Sequence, residues 1–500
     1  MLFAACLARF LFLVEPEFWI DEIISITVAQ EGPLYCVPAT LRFSAHPPSY
    51  YCQLSLWTLV SDSGAWLAAN GVFWNFAALG AAYMVFRRKY SLQLSLAACL
   101  ILALLPQFLY YAANVRMYSF LIPMALLVWL QTDKVFDASK KPLHSMVLRK
   151  SLMWRGLFQL LLGYAHAVGP LYAFVNAFYA LVRAKEHAQA STRKIWFIFE
   201  LGTGLLLLPV VINGSFRETQ HATSTSMQDW AILLWNNISA DSTQITGLWA
   251  IAGTGLLLGA IYFAVRRDAR SKPIFWALFV FPIALFVVVS LVFKPIMSDR
   301  GLAVILPAFS LLLTVALSSV ARTAALKAGL FAAVFAMLVW QSYNFMDGYN
   351  KPNDYRGVAA RLEASLVAGD QLFIYQGATA WGTLRRLKGE KWGSALAIQA
   401  PPNARWQQLE TQLGSELCAL LKICAMRHSL DHKGIEIVFF HSEMTLSAGA
   451  SRVWLLHNGA QTIESQIDAL RRDGYVWQSD SNFSGEILKL FIKEALSGDS

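Results

Sequence analysis

About eleven long apolar runs constrain this chain more than any other feature. They lie near residues 1–14, 64–86, 93–112, 117–131, 154–166, 168–182, 195–213, 245–265, 274–294, 300–320 and 326–346. A helix of roughly 20 apolar residues matches the hydrocarbon thickness of a bilayer. Inside lipid the backbone must satisfy its own hydrogen bonds, which a helix does unaided. Composition agrees with that reading: 56% of the 500 residues are hydrophobic and 15% are charged, with mean hydropathy +0.45. The expectation is a polytopic α-helical membrane protein with about eleven transmembrane helices. Two places are irregular. The run Met1–Val14 is short and interrupted by Arg9. It lacks the leading charge and cleavage site of a signal peptide, so it reads as a short or tilted first span. The stretch 154–182 is interrupted by Gly163, His166, Gly169 and Pro170, and reads as two short broken helices or one long one. Broken helices are tolerated where they line a cavity.

The loops carry an orientation signal. Basic residues gather at Arg87–Lys89, Lys134–Lys150, Arg183–Lys194, Arg266–Lys272 and Arg322–Lys327. These loops fall on alternate turns of the chain, as one common side requires. Positive charge favours the cytoplasmic side, so the N-terminus is expected inside. Loops 15–62, 113–116, 214–244 and 295–299, and everything after about 347, are expected outside. The net charge of +9 therefore reports membrane orientation and not a nucleic-acid partner. Of the six cysteines, Cys6 and Cys99 lie in apolar runs and read as packing. The pairs Cys36/Cys52 and Cys418/Cys424 fall in segments expected to face an oxidising compartment, where either can be a disulfide.

Beyond Asp347 the long apolar runs stop. Strand-like stretches appear at Gln371–Tyr375, Ile435–Phe440, Arg452–Leu456 and Glu486–Ile492, with helix-like segments near 354–367, 377–388, 405–424 and 461–473. Alternation of this kind predicts a small α/β domain. It has no Gly-rich nucleotide fingerprint. The expected organisation is a membrane domain over 1–346, with a first outer loop at 15–62, and an outer α/β domain over 347–500.

Several polar residues stand out against the apolar background. Asp21 and Glu22 are adjacent carboxylates just after the first apolar run. They can cap an interfacial helix over 21–30, because carboxylates favour a helix N-terminus. They can also supply a general base at the mouth of a membrane cavity. The two readings are compatible. In His46-Pro47-Pro48-Ser49-Tyr50-Tyr51 the prolines stiffen the backbone and fix where His46, Tyr50 and Tyr51 point; the plainer reading is a rigid loop before a re-entrant helix. Arg116, followed by Tyr118, and Arg300 each open a span at the face expected to be outer. Either arginine can snorkel to headgroups, or bind a phosphate bidentately. His166 falls near the same face, where a satisfied core histidine is the plain alternative. All six charged or imidazole side chains map to one expected membrane face although they come from distant parts of the chain, which points to a shared site.

These residues resemble the GT-C superfamily, in the group of protein O-mannosyltransferases and lipid A aminoarabinose transferases. The matching residues are Trp19-x-Asp21-Glu22, His46-Pro47-Pro48-x-Tyr50-Tyr51, Arg116-Met117-Tyr118, Gly163-Tyr164-Ala165-His166 and Ser298-Asp299-Arg300 before Pro307. Lys351–Val358 followed by Gly369-Asp370 is similar to the start of the outer domain in bacterial relatives. The resemblance implies an inverting transferase of the bacterial cytoplasmic membrane. It implies a polyprenyl-phosphate-linked sugar as donor and a glycolipid, polysaccharide or protein as acceptor, with membrane lipids as further partners and no cofactor or metal. It further implies Asp21 and Glu22 as catalytic residues, Arg116, Arg300 and His166 at the donor phosphate, and His46, Tyr50, Tyr51 and Tyr118 in substrate positioning. Two departures weigh against a simple transfer of function. Relatives often carry an acidic residue before His-Pro-Pro, where this chain has Ser44 and Ala45, and often a glutamate where it has Asn114. A transporter for a lipid-linked saccharide is the rival class, because it too places charge in a membrane cavity. A lipid-binding homologue without turnover is a second rival.

Overall fold

A computed structural model of the chain describes residues 10, 18–30, 32–43, 46–138, 146–187, 190–216, 247–293, 296, 300–320, 323–347, 355–375, 429–432, 435–440, 450–458, 463–483 and 486–493. The expected first span (except Phe10), the helix-like segments 377–388 and 405–424, and the pair Cys418/Cys424 lie outside the described residues. The chain divides into two compact units. One comprises Met1–Val14, Ala45–Tyr50 and Ala68–Tyr349, the other Glu15–Ser44, Tyr51–Leu67 and Asn350–Ser500.

Helices come first along the chain: α1 Ile20–Gln30, α2 Cys36–Phe43, α3 Ser49–Thr58, α4 Gly64–Arg87, α5 Leu92–Leu104 and α6 Pro106–Ala112. Then follow α7 Met117–Ala138, α8 Met146–Gly163, α9 Gly169–His187, α10 Ala190–Phe216 and α11 Gly247–Arg267. The segment Lys272–Val292 is one helix, α12, with π geometry over Phe275–Val280. A 3₁₀ turn over Arg300–Ile305 leads into α13 Leu306–Val320, and α14 spans Ala324–Asp347. Among the described residues five helices are long and apolar enough to cross a membrane, or six if α5 and α6 count as one broken span. The run near 93–112 breaks at Leu105, bending by 68°. The cause is local. Pro106 pushes Leu105 into an extended conformation (φ −63°, ψ 122°), and it costs nothing as the first residue of α6, where its missing N–H would be unpartnered anyway. The stretch 154–182 resolves into two helices, α8 and α9.

Close packing ties these helices together. A Cβ on Gly71 of α4 would come within 2.7 Å of the carbonyl oxygens of Ala112 and Asn114. Only glycine lets α4 lie against that turn. Asn75 adds a hydrogen bond from Nδ2 to the Phe108 carbonyl at 2.9 Å. Inside the apolar bundle, Arg155 of α8 is fully buried and pairs with Glu200 of α10 at 2.5 Å. Arg155 Nε also donates to Thr132 of α7 at 2.9 Å, and Gln159 donates to Glu200 at 3.0 Å. The guanidinium lies 4.8 Å from the Trp196 ring. Basic loops meet at one end of this unit: Lys89 pairs with Asp133 at 3.3 Å, Arg88 pairs with Asp137, and Arg270 donates to the Lys89 carbonyl.

In the other unit, α2 and α3 are joined by a Cys36–Cys52 disulfide with Cα atoms 5.1 Å apart. Trp57 and Trp66 stack and each donates an indole N–H to the other's carbonyl. The C-terminal part holds α15 Tyr355–Ser365, then β1 Gln371–Tyr375, β2 Ser429–His432, β3 Ile435–Phe440, β4 Arg452–Asn458, α16 Glu464–Arg472, β5 Tyr475–Phe483 and β6 Glu486–Lys493. They form a mixed sheet in the order β2-β3-β1-β4-β6-β5. The centre is parallel, β1 pairing with both β3 and β4, and the flanks are antiparallel. Phe373, Val453, Leu455, Leu470, Tyr475 and Phe491 form its core. Asp370, just before β1, accepts from the Trp454 indole at 2.9 Å and pairs with Arg452. On β5, burial pushes Asp480 up, but hydrogen bonds from Lys489 and Trp477 outweigh it and hold the carboxyl below its usual range.

Candidate active site

The larger unit brings together His46, Arg116, Tyr118 and His166. The prolines keep 46–48 out of a helix, and α3 begins at Ser49. Ser49 then locks that loop to the end of α8: its backbone N–H donates to the Tyr164 carbonyl at 2.9 Å and its hydroxyl to the Leu161 carbonyl at 2.8 Å. Tyr164 is itself held by a hydrogen bond from its hydroxyl to the Leu206 carbonyl of α10. The result is a stack. The His46 and His166 rings lie 4.3 Å apart at 27°, and Tyr118 approaches His166 at 5.4 Å. Tyr111 packs on Tyr118 at 5.3 Å and accepts a hydrogen bond from Gln107. Arg116 is 5% exposed, in the turn between α6 and α7. Tyr50 is buried and packs toward Phe120.

The turn that carries Arg116 is closed from within. Asn114 donates to the Tyr110 carbonyl at 2.6 Å, so the residue that stands where relatives often have glutamate helps the Ala113 N–H to close the end of α6. Gly71 lies directly beneath this turn, as described above. His166 sits between α8 and α9. Its Nδ1 accepts from the Val168 N–H at 3.1 Å and its carbonyl accepts from the Gly169 N–H at 2.8 Å. Arg300 opens the 3₁₀ turn, and Tyr172 of α9 donates to the carbonyl of the next residue, Gly301. The side chain of Arg300 lies outside the described residues.

The other unit holds Asp21, Glu22 and Tyr51. Glu22 is fully buried, and its Oε2 accepts from the Trp19 N–H at 3.0 Å. Trp19 O accepts in turn from the N–H groups of Glu22 and Ile23. This is the glutamate half of a capping box, with the backbone carbonyl of Trp19 taking the first helical N–H groups, so the capping reading holds for Glu22. Asp21 is partly exposed, and its backbone carbonyl accepts from Ser25. Tyr51 is buried beside the Cys36–Cys52 bridge.

Sequence reasoning passed over Ser49, Tyr111 and Gln107, which position the named residues. Nothing in a single serine or glutamine signals such a role, because it arises from contacts between distant segments. It also passed over Arg155 and Glu200. A signal for those was present, since each is a charge inside an apolar run.

No family model matches this sequence, and no curated protein sequence matches it. Solved structures do resemble it. The apo structure of ArnT from Cupriavidus metallidurans aligns with TM-score 0.60 at 12% identity, covering 98% of this chain and 97% of that one. ArnT from the same organism bound to undecaprenyl phosphate aligns with TM-score 0.57 at 12% identity over the same shares. From end to end, then, this chain has the fold of the GT-C membrane glycosyltransferases that its short motifs resemble.

Proposed function

We propose that this protein is an inverting glycosyltransferase. It moves a sugar from a polyprenyl-phosphate donor to a glycolipid, polysaccharide or protein acceptor on the outer face of a bacterial cytoplasmic membrane. The observation that carries the reading is the end-to-end fold likeness to ArnT, a protein also solved with undecaprenyl phosphate bound. In this reading Asp21 takes the acceptor proton as the acceptor oxygen attacks the anomeric carbon. The bond from that carbon to the phosphate oxygen breaks. The leaving polyprenyl phosphate gains negative charge, which Arg116 and Arg300 stabilise. Glu22 orients the start of α1, so it positions Asp21 without taking a proton itself. His46, Tyr50, Tyr51 and Tyr118 shape the sugar site. The domain over 347–500 lies on the outer face, as the alternation of basic loops requires.

The buried Arg155–Glu200 pair favours a second reading, a transporter for a lipid-linked saccharide, since intramembrane charges mark transport pathways. One comparison separates the two. Mass spectrometry of envelope glycolipids and glycoproteins from a deletion strain should show an acceptor lacking one sugar, with the donor lipid accumulating. Loss of a whole glycan with no truncated acceptor would support the transporter instead.

A further inference from the structure

We infer that the Cys36–Cys52 disulfide is a positioning element for the reaction: it ties the helix pair that carries Asp21 to the helix that carries Tyr51, so the proposed base is in place only once the bond has formed. The catalytic half of this inference rests on the transferase reading. On one side of the bond, Asp21 lies in the first turn of α1, and Glu22 caps that turn. A tight turn follows α1. The Gly32 N–H donates to the Ala29 carbonyl at 3.1 Å, and the Gly32 carbonyl accepts from the Tyr35 N–H at 3.0 Å. Gly32 has φ +97°, which a residue with a side chain rarely adopts. Cys36 then opens α2, which packs back against α1. Ile23, Ile26, Val28 and Ala29 are buried. Close packing of this kind passes a displacement of α2 on to α1.

On the other side, Cys52 follows Tyr51 directly in α3. Tyr51 and Leu54 are fully buried. The far end of α3 is clasped to the first turn of α4. There Trp57 and Trp66 stack at 4.5 Å, and each indole N–H donates to the other's carbonyl. α3 is thus a fixed post, and the disulfide fastens α2 to it, with Cα atoms 5.1 Å apart. Forming the bond takes two electrons and two protons from the thiols. A disulfide-bearing oxidant accepts them and becomes a dithiol. Such oxidants work in oxidising compartments, so the base is set only after the first loop has reached one. Cys36 is buried and Cys52 is half-buried, which leaves the bond open to a small reductant from the Cys52 side. A phosphine reverses the step: one water is consumed, both thiols return, and the phosphine becomes its oxide.

Three measurements on the full chain test this. First, free thiols are alkylated in intact cells before peptide mapping. Cys36 and Cys52 should be recovered joined; alkyl groups on both overturn the inference. Second, hydrogen exchange is followed in lipid nanodiscs with and without a phosphine. Reduction should speed exchange in Ile20–Gln30 and Cys36–Phe43 by about 10-fold or more and leave Gly169–His187 unchanged. Unchanged exchange in α1 overturns the link. Third, cell envelopes bearing wild type, Cys36→Ser or Cys52→Ser, with their own donor and acceptor, give initial transfer rates by mass spectrometry, and the purified proteins are tested for binding of undecaprenyl phosphate. Transfer should fall about 10–100-fold, as a small displacement of a catalytic group costs, while undecaprenyl phosphate binds as in wild type. Undiminished transfer overturns the positioning role. So does loss of binding together with transfer, which marks a bond that only stabilises. Where a serine variant does not accumulate, wild-type envelopes and protein treated with phosphine decide by the same two readouts. If deletion of the wild-type gene removes no sugar from any acceptor, the transferase reading fails, and the exchange result stands by itself.

Discussion

Polar groups stand at both ends of the helix Met117–Ala138, and the two ends use different chemistry. At one end Asp133 meets Lys89 and the Tyr179 hydroxyl, and Asp137 meets Arg88. Opposite charges there tie basic loops to the helix and neutralise one another. At the other end Arg116 precedes Tyr118, which lies among Tyr111, His166 and, through the stack, His46. Rings and hydrogen-bond donors gather there, held by backbone contacts from Ser49 and Asn114. The first arrangement resembles a fastening. The second is a buried cluster of rings beside one arginine, to which the proposed reading assigns the donor phosphate. The difference is that charge at one end of this helix is matched locally by opposite charge, while at the other the buried arginine stands among aromatic and imidazole rings, where the proposed reading puts the chemistry.

The comparison can be tested first by removing the proposed base. Asp21→Asn should lower transfer about 10²–10⁴-fold with thermal stability unchanged. Asp133→Asn at the fastening end should do the reverse, lowering the melting temperature and sparing turnover. Equal effects of the two on turnover would erase the distinction. Next is the buried pair that reaches the helix at Thr132, beside Asp133. Arg155→Met leaves Glu200 charged in an apolar bundle and should cost about 3–5 kcal/mol in denaturant unfolding. Arg155→Met combined with Glu200→Leu should recover most of that loss, because a well-packed apolar replacement is close to neutral. A double variant as unstable as the single one would mean that Gln159 and Thr132, not Glu200, carry the dependence. A smaller effect is expected at the phosphate. Arg116→Lys keeps charge but loses the planar fork, and should weaken donor use by one to two decades, about 1.5–3 kcal/mol. Transfer rate against donor concentration measures it; wild-type behaviour would leave Arg116 as a headgroup contact. The smallest is a fastening in the C-terminal sheet. Asp480 has a depressed pKa, so its contribution is present above the ordinary carboxylate range and lost as pH falls through the folded value. Hydrogen exchange of β5 and β6 should show Asp480→Asn less protected at neutral pH by under about 1 kcal/mol. The difference should vanish in acid. A difference that survives acid would assign the effect to packing.

Much of the element map was legible along the chain. β1, β3, β4 and β6 are short apolar or alternating runs, and each is where the pattern predicts. β2 and β5 were passed over. Both are sheet edges, and Ser429–His432 and Tyr475–Phe483 are polar enough to read as loops, since an edge strand buries less and carries charge against unwanted pairing. The run near 93–112 read as one span because hydropathy does not register the turn that Pro106 forces. Of the candidate site, the residue types were legible and their neighbours were not. His46 and His166 are separated by 120 positions, and no local pattern places one ring on the other.

What the sequence by itself determined is the class of solvent this protein folds in. Apolar runs of bilayer length with charge held to the loops require helices in lipid, and the sheet-forming segments after Asp347 require a second kind of core. Which charges pair with one another and which side chains stand together was decided by tertiary structure alone. Glu22 reads like its neighbour Asp21 until its carboxylate is seen capping α1. His46 reads as a lone imidazole until the His166 ring is seen stacked on it. Protonation and pairing depend on what lies within a few ångströms, and folding brings those neighbours from segments that the linear pattern leaves far apart.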